Sequence, residues 1–476
     1  MEAEEHMSLS MRDSLFLMLV ILIELVICVR AGLALNVPLI FSWLIIYVYA
    51  VITKKDWHTI EGYALDAIRS GFQSIMIVAA VGLLIGAWIQ SGTVPTLIYY
   101  GLSFISPNIF LPATMLLCSI LSVCTGTSYG SAASAGLACM GIGLSMGFPA
   151  GPIAGAVICG ALFGDKMSPF SDTTNLAPAM AGSDLFTHIR SMLWTTLPAW
   201  LISIATFYFI GIKYAVQAFD KTQITTYMNG LASNFNLSPL TLLPVIIVIV
   251  LLLFKVSAFP TIMLGAAFGS LTAMLVQHQA FTATVNVMLK GYSIKSGILL
   301  VDKLLNRGGL ASMYGIITIM IFAMGLGGML ERMGILSNLL NVIVKRIKSV
   351  PGLVICTMFV SYLSGAIGCT QSMSHVLTGK LMNPLYKEKG VAPEVLSRTM
   401  EDCGTLGGAM IPWHTNAIYF CGALSVSFLQ YFPYLFLCFI VPLFSLFYAF
   451  SGIAIWYIDP ITGQYISKEK APINQK

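Results

Sequence analysis

Apolar runs long enough to cross a bilayer recur along most of this 476-residue chain. About 20 apolar residues at a rise of 1.5 Å span a hydrocarbon core of roughly 30 Å. Such runs stand at 14–33, 35–52, 74–89, 191–212, 240–254, 257–276, 314–330 and 433–457. Period-2 alternation of the barrel kind is absent from the sequence, and in lipid a lone helix satisfies its own backbone where an open strand does not. The pattern therefore predicts an all-α, polytopic membrane protein with about ten transmembrane helices. Polar and glycine-rich interruptions predict two re-entrant hairpins at 109–145 and 352–381, with tips at 125–130 and 369–374. Two discontinuous helices are predicted at 150–184 and 400–424.

Internal repetition organises these elements. Gly126-Thr127 aligns with Cys369-Thr370, Gly136 with Gly379, Gly164 with Gly407, Met167 with Met410, Pro169 with Pro412 and Phe170 with Trp413. Every pair is 243 apart, as 126 and 369 show. The chain thus reads as an N-terminal repeat over 1–234 and a C-terminal repeat over 235–476. Loop charge sets their orientation, since cytoplasmic loops are enriched in Lys and Arg. The connections at 91–108 and 140–152 carry neither, whereas their counterparts carry Arg332, Lys345, Arg346 and Lys348, then Lys380, Lys387, Lys389 and Arg398. The repeats are therefore expected to be inverted, as in many transporters. Two full spans in place of each hairpin would also return the chain to its starting side, so charge alone leaves that choice open. With the N-terminus inside, Lys54, Lys55, Arg69, Arg190 and the 468–476 tail are cytoplasmic, while Lys213, Lys221, Lys290, Lys295, Lys303 and Arg307 run against the rule.

Composition removes the soluble alternatives. Hydrophobic residues make up 57% of the chain and charged ones 9%, too few polar groups to cover a globule of this size. The formal net charge of +5 is dispersed over short loops, which implies no nucleic-acid partner. The ten cysteines show no CxxC and no zinc spacing, and read as small buried hydrophobes of a reducing compartment. MEAEEHMSLSMRD precedes a first span and not a cleaved signal. No nucleophile–base arrangement marks an enzyme, and no cofactor is implied beyond transported or coupling Na+ and H+.

The chemistry is expected where polar residues break the apolar pattern. The first hairpin tip offers Thr125, Thr127 and Ser128, and the second Thr370, Gln371 and Ser372. Gly164–Gly182, GDKMSPFSDTTNLAPAMAG, sets Asp165, Ser168, Ser171, Asp172, Thr173, Thr174 and Asn175 beside Pro169 and Pro178. Prolines remove ladder hydrogen bonds, and hydroxyls give the freed backbone other partners. Carboxylates at membrane depth cost a few kcal/mol and face a partner or water. Asp172, with Thr173 and Asn175, reads as a sodium ligand set; Asp165 reads as a proton carrier or as a partner of Lys166. The second half offers Glu401, Asp402, Thr405, His414, Thr415 and Asn416, with His375 near its hairpin tip. The histidines suit proton transfer or a structural role. Glu401 and Asp402 suit the site or a helix cap.

At these residues the chain resembles the NhaC-type sodium/proton antiporters. GDKMSPFSDTTNLAPAMAG carries the resemblance, supported by TGTSYGS before it and EDCGTLGGAMIPWHTN after it, and the likeness extends over nearly the whole chain. It implies sodium/proton exchange, with some members exchanging malate and protons for lactate and sodium, and a fold of inverted repeats with hairpins and broken helices. The second half departs from the pattern at His414 and in TQSMSHVLTGK, which leaves the substrate open. The expected partners are small ions, small carboxylates and the lipid of the plasma membrane, with a homodimer compatible and both termini cytoplasmic. Competition of two ions for one carboxylate would enforce exchange; a sodium-coupled organic-anion exchanger and a channel are the alternatives.

Overall fold

The computed structural model describes residues 9–31, 36–104, 106–218, 221–254, 256–298, 301–302, 305–335, 338 and 347–474. Lys303, Lys345, Arg346, Lys476 and the first eight residues, used above for loop charge and the N-terminal reading, lie outside them. The regular structure among the described residues is helical except for one small hairpin, in which Tyr457–Ile458 pairs antiparallel with Tyr465–Ile466.

Among the described residues six helices are long and apolar enough to cross a membrane: Trp57–Gln90, Pro107–Thr125, Leu185–Tyr214, Ala258–Val276, Leu310–Arg332 and Val350–Gly368. Two further candidates are bent pairs, Met228–Asn234 with Pro239–Leu253 at 96° and Phe428–Tyr434 with Phe436–Ser451 at 47°. The expectation of about ten spans also took in Met11–Arg30 and Asn36–Ile52. The first, Met11–Arg30, is set apart by the charges Arg12, Asp13, Glu24 and Arg30, and the second, at 17 residues, is shorter than any of the six. Glu24 is accommodated by hydroxyl donation from Ser42 at 2.9 Å.

The 243-residue register recurs in the backbone. Helices Pro107–Thr125 and Val350–Gly368 begin and end 243 apart. Each closes on a left-handed residue, Gly126 at φ 68° and Cys369 at φ 58°. Each is followed by a threonine cap: Thr127 Oγ1 accepts from Gly130 N at 3.4 Å, and Thr370 Oγ1 from Met373 N at 3.3 Å. The next helices start at Ala150 and Pro393, again 243 apart. Both break before a proline, at Ser168 and Ile411, where ψ turns extended at 128° and 116°. They resume as Asp172–Ala181 and Thr415–Leu424, in the same register. The second broken helix thus starts at Pro393, not at 400; proline at a first turn is pre-set for a helix start.

Packing follows the same plan in both halves. The arms Pro107–Thr125 and Leu137–Ser145 run antiparallel, with Phe110 filling the space a Cβ on Gly143 would need. In the second hairpin, Ser374 Oγ donates to Ser361 O at 2.7 Å and the Thr357 and Tyr386 hydroxyls meet at 3.1 Å. Each hairpin docks on its own broken helix: Ser168 Oγ donates to Val123 O at 2.7 Å, and Trp413 Nε1 to Ala366 O at 2.7 Å. The resumed helix then leans on the other hairpin. Asn383 Nδ2 donates to Met180 O at 3.1 Å, and Tyr129 donates to Asn416 Oδ1 at 2.9 Å while stacking on Tyr419. Two apolar cores, each drawing residues from both halves, hold the helices together.

Candidate functional site

The first broken helix delivers a buried carboxylate to the first hairpin tip. Helix Ala150–Met167 ends at the Pro169 break, leaving Asp165 in its last turn and 6% exposed. Ser128, the first helical residue after the tip, donates to Asp165 Oδ2 at 2.6 Å; Ser171, from the break, donates to Oδ1 at 2.6 Å. Thr173 Oγ1 lies 3.1 Å from the Ser171 hydroxyl. Four oxygen-bearing side chains thus converge, one of them a carboxyl, with exposed backbone ends on both sides of the break. Thr174 is spent elsewhere, donating to the carbonyls of Asp165 and Lys166 at 3.1 and 3.0 Å.

Asp172 takes a different position. It opens the resumed helix with an exposed side chain, and no hydrogen bond joins it to the Asp165 cluster. Asn175 is exposed too, its amide turned onto Pro169 O and Ser171 O at 2.9 and 2.7 Å. Of the sodium set read from the sequence, Thr173 alone lies beside the buried carboxylate. Thr125 and Thr127 sit at the tip, half buried, and Ser168 ties the break to the hairpin arm.

Asp165 does not pair with Lys166. Lys166, fully buried, reaches into the other half, where its ammonium donates to Asp402 Oδ1 at 2.7 Å and to Thr196 at 2.6 Å. Asp402 also accepts from Thr195 at 3.0 Å and from Ser445. Ion pairs this deep are tolerated only when their remaining hydrogen bonds are met, and here they are. Sequence reasoning missed Thr195, Thr196 and Ser445 because they come from helices remote in the chain. Lys166 was visible, but nothing in its neighbourhood points 236 residues ahead.

Glu401 and Asp402 are not a helix cap. They sit in a π-helical turn, Glu401–Thr405, in the interior of the second broken helix. Glu401 is fully buried, and neither of its oxygens has a hydrogen-bond partner among the described residues. His375 Nε2 lies 3.7 Å from its Oε1 and is engaged with Thr405 Oγ1 at 3.0 Å. Gln371 turns away to Thr405 O at 3.1 Å, and Ser372 is exposed. His414 caps the resumed helix, its Nδ1 accepting from Asn416 N at 3.1 Å, which leaves Nε2 as the donor. Among the described residues His414 Nε2 and Asn416 Nδ2 are buried with no well-placed acceptor, the Thr370 backbone being the neighbour of the His414 ring. Thr415 is held by its backbone N–H to Cys369 O at 3.0 Å.

Among the described residues no three His, Cys, Asp or Glu side chains converge as a metal centre. A cavity of about 620 Å³ opens at the start of the second broken helix, lined by Phe186, Arg190, Glu394, Trp456 and Tyr465 among others. None of the Asp165 or Glu401 cluster lines it.

Comparison with known proteins decides the family. Residues 160–453, from the Asp165 segment through the final helix, match the Na+/H+ antiporter family. The chain belongs to that family. It is 38% identical to the Na+/H+ antiporter NhaC of Alkalihalophilus pseudofirmus over 88% of this chain and 91% of the relative. It is 36% identical to the malate-2H+/Na+-lactate antiporter of Bacillus subtilis, over 89% and 91%. The arginine/ornithine antiporter ArcD of Halobacterium salinarum matches at 33% identity over 91% of this chain and 90% of its own length. The family is one of membrane transporters, and this chain is a multi-pass membrane protein of it.

Proposed function

We propose that the chain exchanges sodium for protons across the plasma membrane by alternating access, with Asp165 as the charged centre of the cation site. Ser128, Ser171 and Thr173 complete the oxygen set. The observation that carries this reading is the convergence of a hairpin-tip hydroxyl and a helix-break hydroxyl on one buried carboxylate. Oxygen donors suit a hard cation, and interrupted backbone at membrane depth is tolerated where it lines a site. The shared backbone register and the exchanged hairpin contacts support two inverted repeats rocking about this seam, with both termini cytoplasmic by the charge rule. In proteoliposomes, sodium is expected to dissipate an imposed pH gradient, and Asp165→Asn to abolish that response. An Asp165→Asn protein with undiminished exchange contradicts the assignment.

One observation favours a second reading, sodium-coupled exchange of small carboxylates as in the malate/lactate relative. His414 Nε2 and Asn416 Nδ2 are buried donors beside Gly408 with no well-placed acceptor among the described residues. Sodium-driven counterflow of malate or lactate in the same vesicles selects it.

A further inference from the structure

Three acidic side chains lie in the buried seam between the halves, and the protein holds each differently. Asp165 accepts two hydroxyls. Asp402 accepts an ammonium and two hydroxyls. Glu401, its neighbour in the π-turn, is 0% exposed, and among the described residues no donor is well placed on either carboxyl oxygen, with His375 Nε2 at 3.7 Å and Thr405 beside it. Lys166 is committed to Asp402 and Thr196, and the facing His375 Nε2 to Thr405. An ionised carboxylate left dry and unpaired costs several kcal/mol, whereas the neutral acid costs far less.

The charged and titratable groups around Glu401 come from every packed element. The elements packed against the π-turn carry Lys166 and Asp165 on the first broken helix, Asp172 on the resumed helix Asp172–Ala181, His188 on Leu185–Ala218, Tyr362 on Val350–Gly368 and, 3.7 Å from Glu401 Oε1, His375 on Gln371–Lys389. Its own segment adds Arg398, Asp402 and Cys403, and Phe436–Ser451 adds Tyr448. With Lys166 paired to Asp402, the acid of the first half that acts on Glu401 through space is Asp165. A cation arriving there removes a negative field that holds a proton on Glu401.

We propose that Glu401 carries the exchanged proton, on a carboxyl separate from the Asp165 that holds the cation, the two being coupled through space. This deepens the exchange reading and rests on it. When sodium binds at Asp165, the Glu401 O–H bond breaks, its electron pair stays on the carboxylate and the proton passes to water. Reciprocity requires that a proton on Glu401 weaken sodium binding by the same factor. Opposed binding of two ions at two linked acids gives exchange without any shared ligand.

The test is proton release on sodium binding. Full-length protein in detergent is titrated with sodium chloride by calorimetry in two buffers of different ionisation enthalpy. The wild type is expected to release about one proton per sodium near neutral pH. Glu401→Gln is expected to keep binding sodium, to release less than about a tenth of that proton and to lose the pH dependence of its sodium affinity. Glu401→Asp, which keeps a titratable group and guards against a misfolded glutamine variant, is expected to release the proton over a displaced pH range. Undiminished release from Glu401→Gln, or an unmoved pH profile in Glu401→Asp, overturns the proposal. A wild type that binds no sodium overturns instead the exchange reading beneath it.

Discussion

Asp165 in the first half corresponds to Gly408 in the second, 243 residues on, and the two positions are filled in opposite ways. At 165 a carboxylate projects and two hydroxyls close on it. At 408 there is no side chain, and a Cβ there would collide with the His414 ring, 2.6 Å away. His414 is itself the counterpart of Ser171, so the residue that donates to the acid in one half replaces it in the other. The acids of the second half stand seven and six residues earlier, at Glu401 and Asp402, whose counterparts are Ile158 and Cys159. π-Turns differ as well: Ala132–Gly136 and Glu401–Thr405 each face a regular helix at the matching place. Proline, left-handed caps and threonine caps preserve the scaffold in both halves. The side chains that carry charge do not obey the repeat, and the proposed division of labour between cation and proton rests on that asymmetry.

The sharpest way to break the comparison is the charge pair across the seam. Lys166 and Asp402 have the neutral counterparts Ala409 and Cys159, so the pair exists once. Lys166→Met strands a buried Asp402 and is expected to cost about 3–5 kcal/mol in thermal unfolding in detergent. The double variant Lys166→Met/Asp402→Leu is expected to recover most of it, and a double variant as unstable as the single would deny that stranded charge is the cause. Next come the hydroxyls on Asp165. Hydrogen bonds to charged groups contribute about 1.5–3 kcal/mol, so Ser171→Ala or Ser128→Ala should raise the sodium concentration for half-maximal exchange roughly tenfold or more. Gln371→Ala, at the counterpart of Ser128, should leave it within about twofold.

Smaller is the backbone effect at the hairpin tips. Gly126→Ala places a Cβ 2.7 Å from the Phe170 carbonyl carbon in a left-handed conformation, and should cost about 1–2 kcal/mol from the conformation alone. Cys369, already a side chain in that conformation, should gain stability when replaced by glycine. Smallest is the cap pair Asp184 and Ser427, again 243 apart. The Thr187 backbone N–H, helped by the Thr187 hydroxyl and the Phe186 N–H, holds the Asp184 carboxyl below the usual carboxylate range. Its contribution is present above the unfolded carboxylate pKa and is lost as pH falls through the lower folded value. Asp184→Ala should therefore lower the unfolding midpoint at pH 7 and make little difference near pH 2–3, while Ser427→Ala behaves alike at both.

Much of the scaffold could be read before any coordinates. Pro169, Pro412, Gly126 and the two tip threonines mark breaks and caps by local chemistry, so their positions follow from residues close in sequence. The second hairpin arm runs on to Lys389, beyond the anticipated 381, because its last turns are polar and leave no apolar signature. The site was less legible. SDTTN drew attention to Asp172, yet burial distinguishes Asp165, and that depends on Ser128, 37 residues away. Lys166 meeting Asp402, and Glu401 meeting no partner, depend on how the halves pack, which no spacing encodes.

Sodium binding to Asp165→Asn and Asp172→Asn, measured side by side by radiolabelled sodium on the purified protein, tests the account most directly. Asp165→Asn is expected to abolish saturable binding, and Asp172→Asn to keep an affinity within a few-fold of the wild type. Binding that survives at Asp165→Asn and disappears at Asp172→Asn would move the cation site to the exposed acid and contradict the account.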